Sequence, residues 1–441
     1  MASGRKGITR RGFLVSSGVA AALSRGPRKS MAADPITTFA GKAPGEMIEE
    51  IDGDRLLVTL APGGRNWTLG VLRGVVSTDS GRTWGEPFPY QQGGKALEAT
   101  PFPARPMIRL KDGTLGLVYS LEEKGEFGYL TRRWFFATSA NGGQTWDAGH
   151  PIDAPAIFDT DCGVYLQFLW GDVIQLTSGR LVCPAYWYMG GRHPETPPTT
   201  PYPTIGSVKG QKISADGHLF EGAMGGCYAY FSDDTGRRWR RSTGSMMVWP
   251  LPGEKVGGFG ASWEPVAHEL KDGRVLMLMR TNVGRIFQSV SRDGGDHWSL
   301  PEPTTLPSGD VPCALGRLRT TGDLVVVWNQ ASAAEVRRGY SRGRLCLALS
   351  NDEGKTWGRF RTLALSDGLA PADRIEPEPI RHVRAQPGDT QLPDGYAQYH
   401  YPGLAFVQRN LVLVHRTGNH AAAGRSQWVD LKVVPEERLY R

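Results

Sequence analysis

A glutamate and an arginine sixteen positions apart, Glu264 and Arg280, bracket a short apolar hairpin, and there the sequence first offers chemistry. Trp263-Glu264-Pro265-Val266 begins an apolar alternation, Asp272-Gly273 supplies a turn, and Leu276-Met277-Leu278-Met279-Arg280 returns. An antiparallel return with a side-chain period of two puts both charged groups at the same end of the hairpin. Such a pair is either a structural ion pair or half of a site. In a site the carboxylate moves a proton, and the arginine fork holds an anion by paired, charge-assisted hydrogen bonds. A second arginine, Arg342, stands in Ser341-Arg342-Gly343-Arg344-Leu345, with Arg344 and the Arg337-Arg338 pair as competitors. A lone surface arginine is the plain alternative there. Tyr401, in Tyr399-His400-Tyr401-Pro402, opens the last apolar strand. Taken alone, a tyrosine at a strand start is a packing residue.

The elements that position these residues are set by a repeat. Ser-x-Asp/Asn-x-Gly-x-x-Trp occurs five times, at Ser77–Trp84, Ser139–Trp146 (with Asn141), Ser232–Trp239, Ser291–Trp298 and Ser350–Trp357. Asp and Gly form the turn, Ser and Asp bind its backbone, and Trp packs beneath it. The copies lie 62, 93, 59 and 59 residues apart, which suits one four-stranded blade each. A radial array of such blades is a β-propeller, so an all-β, single-domain, six-bladed β-propeller is expected over residues 34–441, with the boxes as staples at the outer edges of blades. The inner strands are expected to open at Met47, Arg105, Gly171, Trp263, Pro312 and Tyr401, and the first residues of these strands meet at one end of the axis. Two polar insertions, 190–222 and 366–400, are read as rims over the cleft or as plain surface excursions.

The boxes resemble the Asp boxes of the sialidase (neuraminidase) superfamily, and the resemblance covers nearly all of the chain after the first forty residues. It implies a tyrosine nucleophile at Tyr401, activated by Glu264, and an arginine clamp of Arg280 and Arg342 on a substrate carboxylate. Such a sugar carries its carboxylate on the carbon that is substituted. A neutral tyrosine suits that carbon better than a carboxylate nucleophile would. Blade 1 departs from the family: Gly45-Glu46-Met47 lacks the Arg-Ile-Pro element, and Ala61–Gly70 holds no acid. Arg105 of Arg105-Pro106 resembles that element and is a candidate third arginine. Glu122, Glu123 or Glu126, and Asp172 at the opening of blade 3, are candidates for the general acid.

The ends and composition narrow the rest. Thr9-Arg10-Arg11-Gly12-Phe13-Leu14, a modest apolar stretch and Ser30-Met31-Ala32-Ala33 read as a removable twin-arginine signal over residues 1–33, giving a periplasmic or secreted protein. A disordered basic tail is the alternative. Residues 1–33 hold seven Lys or Arg and no Asp or Glu, so their removal takes the formal net charge from +7 to zero. Nucleic acid is therefore not an expected partner. No later segment is apolar enough to span a bilayer. The five cysteines, Cys162, Cys183, Cys227, Cys313 and Cys346, lack zinc spacing and read as mostly buried thiols with at most two disulfides. The expectation is a monomeric, metal-free and cofactor-free glycoside hydrolase of sialidase type, acting on an acidic glycan. The alternatives are a uronic-acid polysaccharide lyase or other glycosidase, and a non-catalytic acidic-glycan-binding propeller.

Overall fold

The computed structural model describes residues 36–60, 69–100, 107–124, 130–152, 165–169, 172–189, 204–214, 224–248, 262–386, 388, 391–418 and 429–441. They belong to one compact unit, Asp34–Arg441. The twin-arginine segment and Cys162 lie outside the described residues.

The protein is an all-β propeller. Six antiparallel sheets follow one another along the chain, each built outward from one inner strand. The first runs from Met47–Asp52 through Arg55–Leu60 and Arg73–Ser77 to Phe88–Pro89. The second comprises Met107–Arg109, Leu115–Lys124, Leu130–Ser139 and His150–Pro151; the third is centred on Leu181–Met189 and Met224–Ser232. Ser262–Glu269 and Cys313–Arg317 are the inner strands of the fourth and fifth sheets. The sixth runs Gln398–Val407, Asn410–Gly418, Val429–Pro435, and its fourth strand is Phe39–Ala43 from the other end of the chain.

The expected count of six is corrected by a seventh sheet of three strands, Thr145–Trp146, Gln91–Gln92 and Lys95–Ala96, whose first pairing is parallel. Two-residue strands carry no periodicity to announce such a sheet. A five-residue helix, Ala333–Arg337, begins with a capping box between Ser332 and Glu335.

The core lies between neighbouring sheets. Leu56, Val58, Val412 and Val433 fill the junction of the sixth and first sheets, and Leu278, Leu315, Val326 and Trp328 that of the fourth and fifth. Each box follows the third strand of its sheet and leads to the fourth, toward the outer edge as expected, and also packs into the junction with the neighbouring sheet. In the first box Ser77 Oγ donates to Asp79 Oδ1 at 2.8 Å and accepts from Gly81 N at 2.8 Å; Asp79 in turn accepts from Thr83 N at 2.8 Å. The same bonds recur at Ser350 and Asp352. In every box φ is positive at the residue before the glycine and at the glycine itself. The turn therefore folds tightly enough to seat its glycine against the preceding sheet: a methyl on Gly81 would meet Leu431, and one on Gly354 would meet Leu276.

The two insertions meet each other. Leu392 N donates to Ser207 O at 2.8 Å and Gly388 N to Thr204 O at 2.9 Å. Ile205, Val208, Ile213, Tyr340, Leu392 and Tyr396 form a shared apolar cluster beneath them. They are thus one built wall over the fifth sheet rather than two independent excursions.

Candidate functional site

Two inner strands carry the same irregularity. In the fourth sheet Trp263 pairs with Arg280 and the next pair is Val266 with Leu278, so Glu264 and Pro265 bulge out of the ladder. In the sixth sheet His400 pairs with Arg416 and the next pair is Gly403 with Val414, so Tyr401 and Pro402 do likewise. The bulges hold Glu264 at φ 42° and Tyr401 at φ 47°. Non-glycine residues held there cost roughly 1–3 kcal/mol each, and bulges of this kind re-aim side chains. A third strained residue, Asp310 at φ 62°, lies just before the inner strand of the fifth sheet.

Glu264 and Asp310 converge on Arg280, which is 1% exposed. Its Nη1 donates to Glu264 Oε2 at 2.6 Å and its Nε to Asp310 Oδ1 at 2.9 Å. Trp263 Nε1 donates to the same Asp310 oxygen at 3.2 Å, and the guanidinium lies 5.5 Å from the Trp263 ring. Arg342 is fully buried, with its guanidinium carbon 5.2 Å from the Tyr401 ring centre. Burial raises the Glu264 carboxyl above its ordinary value. Arg280 and Arg342 work against that rise, and Asp310 adds to it. Arg342 thus acts on both Glu264 and Tyr401.

Two of the competing arginines, Arg344 and Arg338, are otherwise engaged. Arg344 Nη2 donates to Glu335 Oε1 at 2.9 Å and to Ala370 O at 2.8 Å, anchoring the short helix to the wall. Arg338 donates to Gly368 O at 3.0 Å, and the Arg337 carbonyl accepts from Gln386 N at 3.0 Å.

The acid candidates are placed differently. The inner strand of the third sheet begins at Tyr165, not Gly171, and is interrupted before Ile174–Gln175. Asp172 therefore falls seven residues after the start of that strand. It lines an axial cavity of about 620 Å³ with Glu50, Thr177, Glu269 and Arg317, where the inner strands end rather than begin. Glu122 lies on strand Leu115–Lys124 opposite Arg132, and its side chain and those of Glu123 and Glu126 lie outside the described residues, as does Arg105. Among the described residues no group of three His, Cys, Asp or Glu side chains converges as a metal site.

Sequence reasoning missed Asp310 and Arg416. Arg416 occupies in the sixth sheet the register position that Arg280 holds in the fourth, and its Nε lies 2.6 Å from buried Glu46 Oε2. The Glu46 carbonyl packs so closely on Gly403 that a methyl there would lie 2.8 Å away. An arginine thus stands beside the opening of the first sheet, where the sequence has none. The signal available was the pattern His400-Tyr401-Pro402 with an arginine sixteen residues after His400, close to the seventeen from Trp263 of Trp263-Glu264-Pro265 to Arg280.

Residues 137–413, more than half of the chain, match the BNR repeat-like domain family. No curated protein sequence matches the chain. Among solved structures, the chain is similar to a protein of unknown function from Dyadobacter fermentans, with 15% identity, 90% and 98% of the two chains covered and a TM-score of 0.54. It is similar to the sialidase of Trypanosoma rangeli, determined with 2,3-difluorosialic acid as a covalent intermediate, with 13% identity, 89% and 54% covered and a TM-score of 0.51. It is also similar to NanB, a sialidase of Streptococcus pneumoniae, with 12% identity, 90% and 68% covered and a TM-score of 0.52. The chain spans little more than half the length of the trypanosomal enzyme. At these identities the likeness is one of fold. With the five boxes and the match over residues 137–413, the chain belongs to the BNR repeat-like domain family.

Proposed function

We propose that the protein is a retaining glycoside hydrolase that removes a terminal sugar bearing a carboxylate at its reacting carbon. The observation that carries this reading is the pair of matching bulges, which spend strain to aim Glu264 and Tyr401 around two buried arginines. In this scheme Glu264 takes the phenolic proton as the Tyr401 oxygen attacks the anomeric carbon, and water later breaks that bond from the same face. Arg280 and Arg342 hold the substrate carboxylate, and Arg416, drawn in by Glu46, is the third cation of the clamp. A carboxylate so held is neutralised before a neutral nucleophile approaches it.

Turnover of an aryl glycoside of an acidic sugar by the purified protein is the test. Tyr401→Phe and Arg280→Ala should each reduce kcat/KM by about 100-fold or more, the scale of removing one essential proton-transfer or anion-binding group. Unchanged turnover in both variants would remove the assignment. Release of an unsaturated, ultraviolet-absorbing uronate from a polyuronate would instead make the protein a lyase.

A further inference from the structure

The wall over the fifth sheet brings one more titratable group to this site. Arg381 N donates to Val283 O at 3.4 Å and Val383 N to Asn282 O at 3.3 Å, so the wall is laced to the loop that follows Arg280. His382 is the residue between the two bonds. Ile380 and Val283 belong to the buried cluster that contains Trp263, with Tyr401 packed against it. The cluster fixes this stretch of wall beside the site. The His382 side chain is half-buried; its Nδ1 is enclosed and has no hydrogen-bond partner among the described residues. Nε2 is left as the nitrogen that meets solvent.

The other groups of the cluster are committed. Glu264 and Asp310 both accept from Arg280, and Asp310 also accepts from Trp263. Tyr401 is the attacking atom of the proposed reaction, and two guanidiniums cannot release protons near neutrality. His400 is buried on the strand opposite Arg416. Blade 1 carries no acid in the residues before Arg73 that follow its first hairpin. We propose that His382 is the general acid that protonates the departing glycosidic oxygen. This rests on the retaining-hydrolase reading. As the bond from the anomeric carbon to that oxygen breaks, its electron pair stays on the oxygen, which takes the Nε2 proton. The Tyr401 oxygen bonds the anomeric carbon, and the phenolic proton passes to Glu264. In the second step neutral His382 takes a proton from water and the hydroxide oxygen bonds the carbon. The Tyr401 bond then breaks, and Glu264 returns the proton. Burial and then Arg384 hold the imidazole below the ordinary histidine range, while Asp310 pulls the other way. The neighbouring Arg381 is paired with Glu378, and the facing loop residues Asn282 and Val283 do not titrate.

The test compares two glycosides of one acidic sugar, one with an acidic phenol as leaving group and one with an alkyl alcohol. Protonation matters for the alcohol and hardly for the phenol. His382→Gln should lose about 100-fold or more in kcat/KM on the alkyl glycoside and less than about tenfold on the aryl one. Equal losses on both, or no loss on either, would overturn the assignment. A second measurement does not depend on the variant's stability. Wild-type kcat/KM on the alkyl glycoside should fall as pH rises through a value below 6.5, the ordinary histidine value. Absence of that limb would overturn the proposal as well. Failure of the wild type on both glycosides, in contrast, would sink the hydrolase reading itself and His382 with it.

Discussion

The claim that each Asp box seats its glycine in a junction between sheets predicts a large effect from one methyl group. At Gly354 φ is 83°, and an added Cβ would lie 2.7 Å from Leu276 Cδ2, with Leu324 and Trp357 at 3.8 and 3.9 Å. Leu276 is 1% exposed and packed among Leu315, Val326 and Trp328, so it has little room to yield. Gly273 is the matched control: φ is 81° and nothing lies within 4 Å of its added Cβ. Both alanines bear the backbone cost of about 1–2 kcal/mol for a left-handed residue. Gly354→Ala adds overpacking of about 1–3 kcal/mol. For a compact unit of this size a destabilisation of 1 kcal/mol lowers Tm by roughly 1.2 °C. Gly273→Ala should therefore melt about 1–2 °C below wild type and Gly354→Ala about 2–6 °C below, by calorimetry at one scan rate. Equal shifts for the two variants would refute the seating of the box against the preceding sheet.

Three further outcomes follow from the charge network, the chain's beginning and the cysteines. Glu353 is held at about 2 by its hydrogen bond to Arg317, with Lys271 assisting against partial burial. A depressed carboxylate stabilises above its unfolded value near 4.5 and loses that contribution as pH falls toward 2. After allowance for solvent screening it contributes about 2 kcal/mol, so Glu353→Gln should flatten the pH dependence of Tm in that window. A wild-type slope in the variant would show that the pair contributes nothing. For residues 1–33, Arg10→Lys with Arg11→Lys should leave a folded, protease-resistant precursor inside the cell; normal export of that variant would remove the twin-arginine expectation. The four described cysteines are buried free thiols, with burial pushing Cys346 up to about 11, so reductant should leave the Tm unchanged.

The sequence made legible what is local. Each box reports itself because its turn is closed by the side chains at i and i+2 and the backbone amide at i+4, and the bonds at Ser77, Asp79 and Gly81 need nothing from the rest of the chain. The hairpin from Glu264 to Arg280 was legible for the same reason: its spacing alone aligns the two charges. Long-range pairings left no such mark. Phe39–Ala43 joins Val429–Pro435 almost four hundred residues away, and its five residues show no alternation that assigns it to the sixth sheet. Asp310 is a loop residue whose role comes from where Arg280 and Trp263 reach it, not from any neighbour in sequence. Asp172 was misplaced because the apolar run Val173–Leu176 looks like a strand start, whereas it resumes a strand already begun at Tyr165. The site was thus readable where two halves of one hairpin build it, and hidden where separate sheets and the wall at His382 contribute.

The central claim is that the Tyr401 oxygen bonds the substrate carbon, and mass spectrometry can read that bond. In a 2,3-difluoro acidic sugar the fluorine beside the reacting carbon destabilises the oxocarbenium-like transition state and so slows hydrolysis of the intermediate. After incubation and digestion, the account predicts one added sugar on the peptide containing Tyr401, and none in Tyr401→Phe. An adduct on another residue, or no adduct from a protein that turns over the aryl glycoside, would contradict it.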